Sequence, residues 1–500
     1  MRFESIVEAV AYYASSRGEK RCLADTKKSL TYTEYWKQVA GFAAYLKRKG
    51  VGKGDCVVVR NSQNTEFATA GLSVQLLGGI FVPVEKNIAD SRIEEICRQV
   101  SAVCYIAAKP SEIQVPYVPM HEAGSHGDGI SEEAFCFPKK EEIAEILFTT
   151  GTTGKSKGIV LRHSSVVAVA ENVIDGVEMK ENNVELIPVP LSHSHGLRRY
   201  YSNMLNGSMA VLLDGVVFAN RVFSLMDQYH VTSMDLVPAA LTALLRIGKE
   251  ELAMRGDRID YVQLGSAPIP EQDRTLLKQI LPGARLYNFY GTTESGCSCI
   301  LDFQKEDVKN CIGRPALHAR FAFLGEDGAW MDATPDNPGL LACAGEMNMD
   351  GYLDCPQLNA ETIKDGYIVT QDLSYMGDDG RIYLLGRKGD VIQSGGNKIA
   401  PQEIEEVAAT IPGICDCACI PVSNAVLGQE PKLFYVTEKN ADVSEEAMYA
   451  FLKAHLEAYK IPKRMERLDQ IPRTYNGKIQ RNELIRMEQS KEAGNGETQQ

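Results

Sequence analysis

The fold of this chain is decided by one stretch, which reads Thr149-Thr150-Gly151-Thr152-Thr153-Gly154-Lys155-Ser156-Lys157-Gly158. It lies between two short apolar runs, residues 146–148 and 159–161. Three glycines allow the backbone to turn its N–H groups inward, while four threonines, one serine and two lysines add donors and positive charge. This combination suits a polyphosphate, and the alternative interpretation is a polar hairpin turn.

The stretch is not a Walker A loop, although Gly154-Lys155-Ser156 resembles the end of one. That motif requires a glycine five residues before Gly154, where this chain has Thr149. A helix should also follow the lysine, whereas residues 159–161 are an apolar run typical of a strand. We therefore predict a loop between two strands.

Strand and helix patterns alternate on the N-terminal side of this loop. Thr31 and Glu34 have the spacing of a capping box, and a helical apolar face follows at Trp36, Val39, Ala43 and Leu46. Short apolar runs at 56–59, 80–84 and 102–107 predict strands. Apolar strands between helices are typical of a parallel sheet that is covered on both faces, so the predicted fold class is α/β.

The length of 500 residues predicts about three units at about 150 residues per domain. The alternation continues to about residue 300, and residues 311–385 have short β-like runs that suggest a barrel-like part. A boundary is predicted at Lys388-Gly389-Asp390. Pro401 is placed to begin a helix beyond it. The predicted domains are a core of 1–388, a mobile lid of 389–486 and a disordered tail of 487–500.

Composition excludes several classes of protein. The net charge is −13, and an acidic surface repels phosphate backbones, so no nucleic-acid partner is expected. No apolar run reaches the ~18 residues of a membrane span, and no signal-peptide core is present, so the expected compartment is the cytoplasm. Thirteen scattered cysteines favour reduced thiols. Cys415, Cys417 and Cys419 alternate along a strand, which favours core packing over a metal site.

Three further motifs suggest nucleotide chemistry. In Asn288-Phe289-Tyr290-Gly291-Thr292-Thr293-Glu294, an aromatic ring could stack on a purine and the carboxylate could hold Mg²⁺. Asp372 could accept hydrogen bonds from ribose hydroxyls, with Arg387 closing over the sugar or phosphate. The third motif is Asn476-Gly477-Lys478, near the C-terminus. Taken singly, each motif has a plain alternative: the first a strand end, the second a surface ion pair and the third a solvated lysine.

In this order and spacing, the motifs resemble the acyl-adenylate-forming superfamily, specifically its AMP-dependent acyl-CoA synthetase branch, from about residue 30 to 485. The resemblance implies a phosphate-binding loop with Lys157, an adenine and magnesium motif ending at Glu294, and an adenylating lysine at Lys478. It also implies ribose ligands at Asp372 and Arg387. A wall of the nucleotide and acyl pocket is implied at Gly265-Ser266-Ala267-Pro268. The implied fold is a large N-terminal αβ region with a β-barrel-like part, plus a small C-terminal α+β domain.

The resemblance implies a reaction in two halves. A substrate carboxylate attacks the α-phosphorus of ATP and pyrophosphate leaves; the thiol of coenzyme A then attacks the acyl-adenylate and AMP leaves. Ser394-Gly395-Gly396 resembles the stretch that lines the pantetheine tunnel, although a plain glycine turn is also compatible. The rivals are an enzyme that loads a carrier protein and a nucleotide-binding protein without ligase activity.

The segment Pro190-Leu191-Ser192-His193-Ser194-His195-Gly196-Leu197 resembles the family's aromatic gate. His193 falls at the gate position, and a structural role remains open for it and for His195. No aspartate lies between Pro190 and Tyr201 to pair with an α-ammonium group, so a plain carboxylic acid is favoured over an amino acid. Arg198 and Arg199 could meet a second carboxylate or the phosphate of coenzyme A, but surface charge is the favoured prediction.

Overall fold

A computed structural model describes residues 2–125, 135–150, 156–306, 308, 310–439, 441, 443–473 and 478–496. The chain divides into two compact units. The first unit comprises residues 1–266, 275–322 and 342–369, and the second comprises residues 267–274, 323–341 and 370–500. The predicted boundary at 388–390 therefore lies within the second unit, and the pivot predicted there remains a proposal.

The helices are, in chain order, α1 (Ile6–Ser16), α2 (Tyr32–Arg48), α3 (Thr65–Leu76), α4 (Asp90–Gln99), α5 (His163–Gly176), α6 (Ser194–Asn206), α7 (Ala219–Gln228), α8 (Pro238–Ala253), α9 (Glu271–Ile280), α10 (Pro356–Thr362), α11 (Pro401–Ala408), α12 (Glu445–His455) and α13 (Arg481–Gly496). Short 3₁₀ turns lie at Met120–Gly124, Gly256–Arg258 and Ala458–Lys460. None of the helices in the described ranges is long and apolar enough to cross a membrane.

The strands are β1 (Arg21–Ala24), β2 (Ser29–Thr31), β3 (Cys56–Arg60), β4 (Ile80–Val84), β5 (Cys104–Ala107), β6 (Tyr117–Pro119), β7 (Ile143–Thr150), β8 (Ser156–Arg162), β9 (Val184–Ile187), β10 (Met209–Leu212), β11 (Ser233–Leu236), β12 (Tyr261–Gly265), β13 (Arg285–Thr292), β14 (Gly296–Asp302), β15 (Cys311–Pro315), β16 (Arg320–Leu324), β17 (Trp330–Met331), β18 (Gly339–Ala344), β19 (Gly351–Tyr352), β20 (Ile363–Lys364), β21 (Tyr367–Met376), β22 (Ile382–Arg387), β23 (Ile392–Ser394), β24 (Asn397–Ile399), β25 (Ile414–Asn424), β26 (Gly428–Thr437) and β27 (Arg464–Arg467).

The first unit is built on two sheets. One runs in the order β19-β8-β7-β4-β3-β5-β6, and the other includes β2-β1-β10-β9-β11-β12-β13-β14-β15. The pairs β3–β4 and β3–β5 are parallel, as the short apolar runs predict, and the pairs β11–β12 and β12–β13 are parallel as well. The second unit contains the sheet β24-β23-β26-β25, with β27 added to β26. The predicted α/β fold class is confirmed.

Local signals read from the sequence are reproduced in α2. The Thr31 hydroxyl accepts a hydrogen bond from the Glu34 N–H at 3.2 Å, and a Glu34 carboxylate oxygen accepts one from the Thr31 N–H at 2.8 Å. The two bonds satisfy N–H groups at a helix end that otherwise lack partners. Val39, Ala43 and Leu46 are buried on the face that the spacing predicts.

The cysteines are free thiols, as expected. Cys417 and Cys419 are buried in the core of the second unit, where burial raises the pKa of both thiols. The prediction of core packing is wrong for Cys415, which is exposed. The pairing of β25 with β26 shifts register between Ile414 and Asp416, so the alternation of side chains is broken there. No group of three potential metal ligands occurs within the described ranges.

The sequence predicts a disordered tail at 487–500, whereas α13 continues to Gly496. Two contacts secure the helix. Leu484 is fully buried, and Glu488 accepts a hydrogen bond from the buried Lys432 ammonium at 2.5 Å. Glutamate, glutamine, lysine and alanine are also strong helix formers, so the polar composition of this segment is compatible with a helix.

His163 gives the first unit an acid-sensitive position. It begins α5, is 1% exposed, and neither ring nitrogen has a partner among the described residues. Burial lowers its pKa from 6.5 to about 4. Because the pKa is lower in the folded state, stability is fully present above pH 6.5 and falls toward pH 4.

We expect the free energy of unfolding to decrease by about 2 kcal/mol between pH 7 and pH 5 through His163. The measurement is urea denaturation at both pH values for the wild type and His163→Leu, which cannot titrate. An identical pH dependence in the two proteins would contradict the assignment.

Candidate active site

The stretch 149–158 connects β7 and β8, which are antiparallel. Thr149 lies opposite Lys157, and Thr150 lies opposite Ser156. Residues Gly151, Thr152, Thr153 and Gly154 of the predicted phosphate loop lie outside the described residues. A strand therefore follows the loop, as predicted, and not the helix of a Walker A site.

Lys157 and Glu294 meet at one aromatic ring, that of Tyr352. The Lys157 ammonium lies 5.6 Å from the ring centroid, and the Tyr352 hydroxyl donates a hydrogen bond to Oε1 of Glu294 at 2.8 Å. Burial, reinforced by the negative charge of Glu294, raises the pKa of the Tyr352 hydroxyl, which therefore stays protonated. The structure thus brings together two residues that the sequence assigns to separate motifs, and it adds Tyr352.

The motif 288–294 occupies the end of β13 and the turn after it. Asn288 has a buried Oδ1 without a partner among the described residues, and the half-buried Tyr290 lies opposite Cys299. A Cβ on Gly291 would lie 1.9 Å from the carbonyl oxygen of Gly296, so only glycine fits there. The remaining residues, Thr292 and Thr293, are half-buried at the turn.

The wall segment begins where β12 ends, at Gly265. An ideal Cβ on Gly265 would lie 3.3 Å from Cε1 of His195, so the imidazole packs closely on this glycine. Ser266 has a φ of +74°, an uncommon backbone conformation for a residue with a side chain, and its hydroxyl lies 3.0 Å from His195 Nδ1. Ala267 follows directly and begins the segment 267–274 of the second unit.

The two histidines of the gate segment differ in their surroundings. His193 is the N-cap residue of α6, and its Nε2 lies 3.6 Å from Oε1 of Glu85. Burial lowers the pKa of His193. His195 lies two residues further along and places its Nε2 2.8 Å from Oδ1 of Asp235, which is fully buried. Sequence reasoning did not identify Asp235, because it is 40 residues away on β11.

The prediction that Arg198 and Arg199 are surface charges is wrong. Arg198 is 5% exposed and pairs with Glu145 at 2.5 Å, whereas Arg199 is fully buried and pairs with Glu185. Arg199 also donates to Gln263 and to the Tyr261 hydroxyl. α6 is buried from Gly196 to Leu205, and the carboxylates that compensate the two charges come from β7 and β9, strands of two different sheets.

In the second unit, Asp372 and Arg387 lie directly opposite each other on β21 and β22. Arg387 Nε is 3.5 Å from Asp372 Oδ1, and the arginine side chain is half exposed. Ser394 is buried at the end of β23, and Gly395 and Gly396 have φ values of +56° and +89°. These positive values are typical of a two-residue hairpin turn, here joining β23 to β24.

Lys478 is exposed, and the nearest described residues on either side of it are held by hydrogen bonds and an ion pair. Arg473 and Ile479 form a β-bridge on either side of it, and Arg473 pairs with Asp416 at 2.6 Å. The Gln480 N–H donates to the Pro472 carbonyl at 2.9 Å. These bonds fix the chain on both sides of Lys478.

Two family models match this chain, one over its N-terminal part and one over its C-terminal part. The AMP-binding enzyme model matches residues 10–353, and the model of the AMP-binding enzyme C-terminal domain matches residues 403–478. The chain belongs to the AMP-binding enzyme family. The match confirms the predicted acyl-adenylate-forming superfamily and, with the names of the relatives, the predicted class of AMP-forming acid–thiol ligases.

Relatives of this AMP-binding enzyme extend over nearly its whole length. It is 27% identical to the 2-succinylbenzoate–CoA ligase of Bacillus cereus strain Q1, over 92% of this chain and 94% of the relative. It is 26% identical to 4-coumarate-CoA ligase 1 of Narcissus pseudonarcissus, over 93% of this chain and 90% of the relative. Another relative is the 2-succinylbenzoate–CoA ligase of Staphylococcus aureus strain JH9. It is 32% identical over 69% of this chain and 67% of the relative.

Solved structures share the fold of this AMP-binding enzyme. ATP-bound MatB from Rhodopseudomonas palustris has a TM-score of 0.86 at 22% identity, covering 96% of this chain and 98% of that protein. o-Succinylbenzoate CoA synthetase from Bacillus subtilis, in complex with the acyl-adenylate intermediate OSB-AMP, has a TM-score of 0.83 at 23% identity, covering 95% and 97%. At these identities the likeness establishes the fold alone.

Proposed function

We propose that this enzyme activates a carboxylic acid with ATP and transfers the acyl group to the thiol of coenzyme A. In the first half, a carboxylate oxygen bonds to the α-phosphorus while the bond from that phosphorus to the oxygen bridging it to the β-phosphorus breaks, releasing pyrophosphate. In the second half, the thiol sulfur bonds to the acyl carbon, AMP leaves, and the thiol gives up its proton. The convergence of Lys157 and Glu294 on Tyr352 is the observation that carries this proposal.

The placement of Lys157 and Glu294 at the Tyr352 ring suits binding of the triphosphate of ATP. Lys157 supplies positive charge to the β- and γ-phosphates, together with the donors of residues 149–154. Glu294 uses Oε1 for the Tyr352 hydroxyl, and its second carboxylate oxygen has no hydrogen bond or ion pair among the described residues, which suits a magnesium ligand. Magnesium bound there would screen the charge of the departing pyrophosphate.

We assign the remaining nucleotide contacts to four further side chains. The unpartnered Asn288 Oδ1 can accept a hydrogen bond from a purine amino group, and Tyr290 offers a ring for stacking. Asp372 and Arg387, opposite each other on two strands, would hold the ribose. For the acyl acceptor we propose coenzyme A, because the relatives are named CoA ligases, with the hairpin at 394–396 beside its pantetheine arm.

The test is ATP–pyrophosphate exchange with fatty, aryl and short acids, followed by thioester formation with coenzyme A or a phosphopantetheinylated carrier protein. We expect exchange to depend on one class of acid and thioester to form with coenzyme A. Nucleotide binding without acid-dependent exchange would contradict the proposal. Preference for the carrier protein would overturn the assignment of the acceptor.

Glu294→Gln is expected to raise the magnesium concentration needed for half-maximal exchange by about tenfold or more, with little effect on the KM of the acid. The amide keeps the shape of the side chain but loses the charge that binds the metal. The measurement is exchange rate against magnesium concentration. The control is Glu112→Gln, at an exposed glutamate of the same unit. Normal turnover of Glu294→Gln at low magnesium would exclude Glu294 as the ligand.

A further inference from the structure

Three side chains form a continuous hydrogen-bonded chain beside the wall segment. Asp235 Oδ1 lies 2.8 Å from His195 Nε2, and His195 Nδ1 lies 3.0 Å from the Ser266 hydroxyl. Gln263 also donates to Asp235 Oδ1, at 3.1 Å. The reaction proposed above gives His195 and Asp235 no role.

The chemistry of Asp235 fixes the orientation of the imidazole. A carboxylate only accepts hydrogen bonds, so His195 Nε2 carries the hydrogen, and Nδ1 faces the Ser266 hydroxyl. Asp235 is fully buried, and its Oδ2 has no partner among the described residues. A buried carboxylate is costly unless it is paired, so the arrangement needs a reason beyond packing.

The hydrogen-bonded side chains of Asp235, His195 and Ser266 lie where a ligand is expected. Asp235 and Gln263 are neighbours on the parallel strands β11 and β12, one or two residues before each strand ends. In open α/β sheets, ligands bind outside the carboxyl ends of the strands. The His195 ring packs on Gly265, and 15% of its side chain is exposed.

We propose that Asp235, His195 and Ser266 recognise a second polar group on the acid. The substrate class is then a carboxylic acid that carries a hydroxyl, an oxo group or a second carboxylate, and not a plain alkyl or aryl acid. This inference rests on the proposed function and specifies its substrate. A methylene chain placed against Ser266 would leave the remaining hydrogen-bonding capacity of its hydroxyl, beyond the bond to His195, unused, which is costly in a desolvated site. A site built to hydrogen-bond one group strongly rejects the analogue that lacks it.

The test compares acids of similar size by ATP–pyrophosphate exchange. Malonate, succinate and 3-hydroxybutyrate are the polar acids, and butyrate, pentanoate and benzoate are the apolar ones. We expect kcat/KM for the best polar acid to exceed that of the best apolar acid by about a hundredfold or more. The polar acids among themselves distinguish a second carboxylate from a hydroxyl group.

His195→Phe is the deciding variant. It removes both ring nitrogens while keeping an aromatic ring near Gly265. We expect it to lower the polar-to-apolar ratio by at least about tenfold, with the KM for ATP changed by less than about threefold. Asp235→Asn, at a positioning residue, should shift the ratio in the same direction and raise the KM of the polar acid. The matched control is His318→Phe, which removes another half-buried histidine–carboxylate pair, His318 Nε2 to Glu171 Oε2 at 2.7 Å.

The polar-to-apolar ratio in the histidine variants decides between the possible outcomes. A ratio that falls in His195→Phe but not in His318→Phe supports the inference. Wild-type preference for an apolar acid, or an unchanged ratio in His195→Phe, overturns it while leaving the proposed function standing. Absence of exchange with every acid overturns the proposed function, and this inference with it. His195 is not fully buried, so its variant keeps the test available if Asp235→Asn does not fold.

Discussion

Replacing Lys478 with alanine is expected to lower the rate of acyl-adenylate formation by about a hundred- to a thousandfold. In the proposed first half-reaction two negative partners meet, the substrate carboxylate and the α-phosphate. One cation that reaches both would orient them and offset their repulsion. Lys478 is suited to this role because it is exposed and the chain is fixed on both sides of it.

The rate of the second half-reaction shows whether Lys478→Ala affects acyl-adenylate formation alone or damages the enzyme as a whole. Thioester formation from a synthetic acyl-adenylate and coenzyme A should remain within about threefold of wild type, since no new bond to phosphorus forms there. Pyrophosphate release and thioester yield are measured on the same preparation. Lys463→Ala, at another exposed lysine of the second unit, is the control and should leave both halves unchanged. Equal loss in both halves would exclude this role for Lys478.

The parts of the fold that could be predicted depend on neighbours in sequence. The capping box at Thr31 and Glu34, the short parallel strands and the hairpin around 149–158 all follow from local patterns. Each is stabilised by bonds between residues close along the chain or by burial of a continuous apolar run. Such signals are readable in one sequence.

The parts that were missed depend on partners distant in sequence. Arg198 and Arg199 look like surface charges until Glu145 and Glu185 are known to lie beside them. Tyr352 has no local pattern that would link it to Glu294, 58 residues away. The exposure of Cys415 results from a register shift that the alternation of cysteines does not reveal. The resemblance supplied the site residues, and the geometry supplied the residues that position them.

The hinge that we propose at residues 388–390 is the second place where a large effect is expected. The chain at 387–390 forms a turn: the N–H groups of Asp390 and Val391 both donate to the Arg387 carbonyl at 2.9 Å, and the Lys388 N–H donates to Gln371. No hydrogen bond from the Gly389 N–H occurs among the described residues, and nothing lies within 4 Å of an added Cβ. Its φ lies outside the left-handed region, so this turn does not require glycine.

A glycine that the turn does not require is suited to a pivot, because hinge positions must accept a second set of backbone angles. Gly389→Pro fixes φ near −65° and restricts Lys388 as well, whereas Gly389→Ala fits the present turn. If the two half-reactions need different angles here, the proline variant should lose thioester transfer by about tenfold or more relative to pyrophosphate release. The alanine variant should keep both halves close to wild type. Pyrophosphate release and thioester yield are measured on each variant, after circular dichroism has established that it is folded. Thioester formation at the wild-type rate in Gly389→Pro, or an equal fall in both halves, would place the pivot elsewhere in the chain.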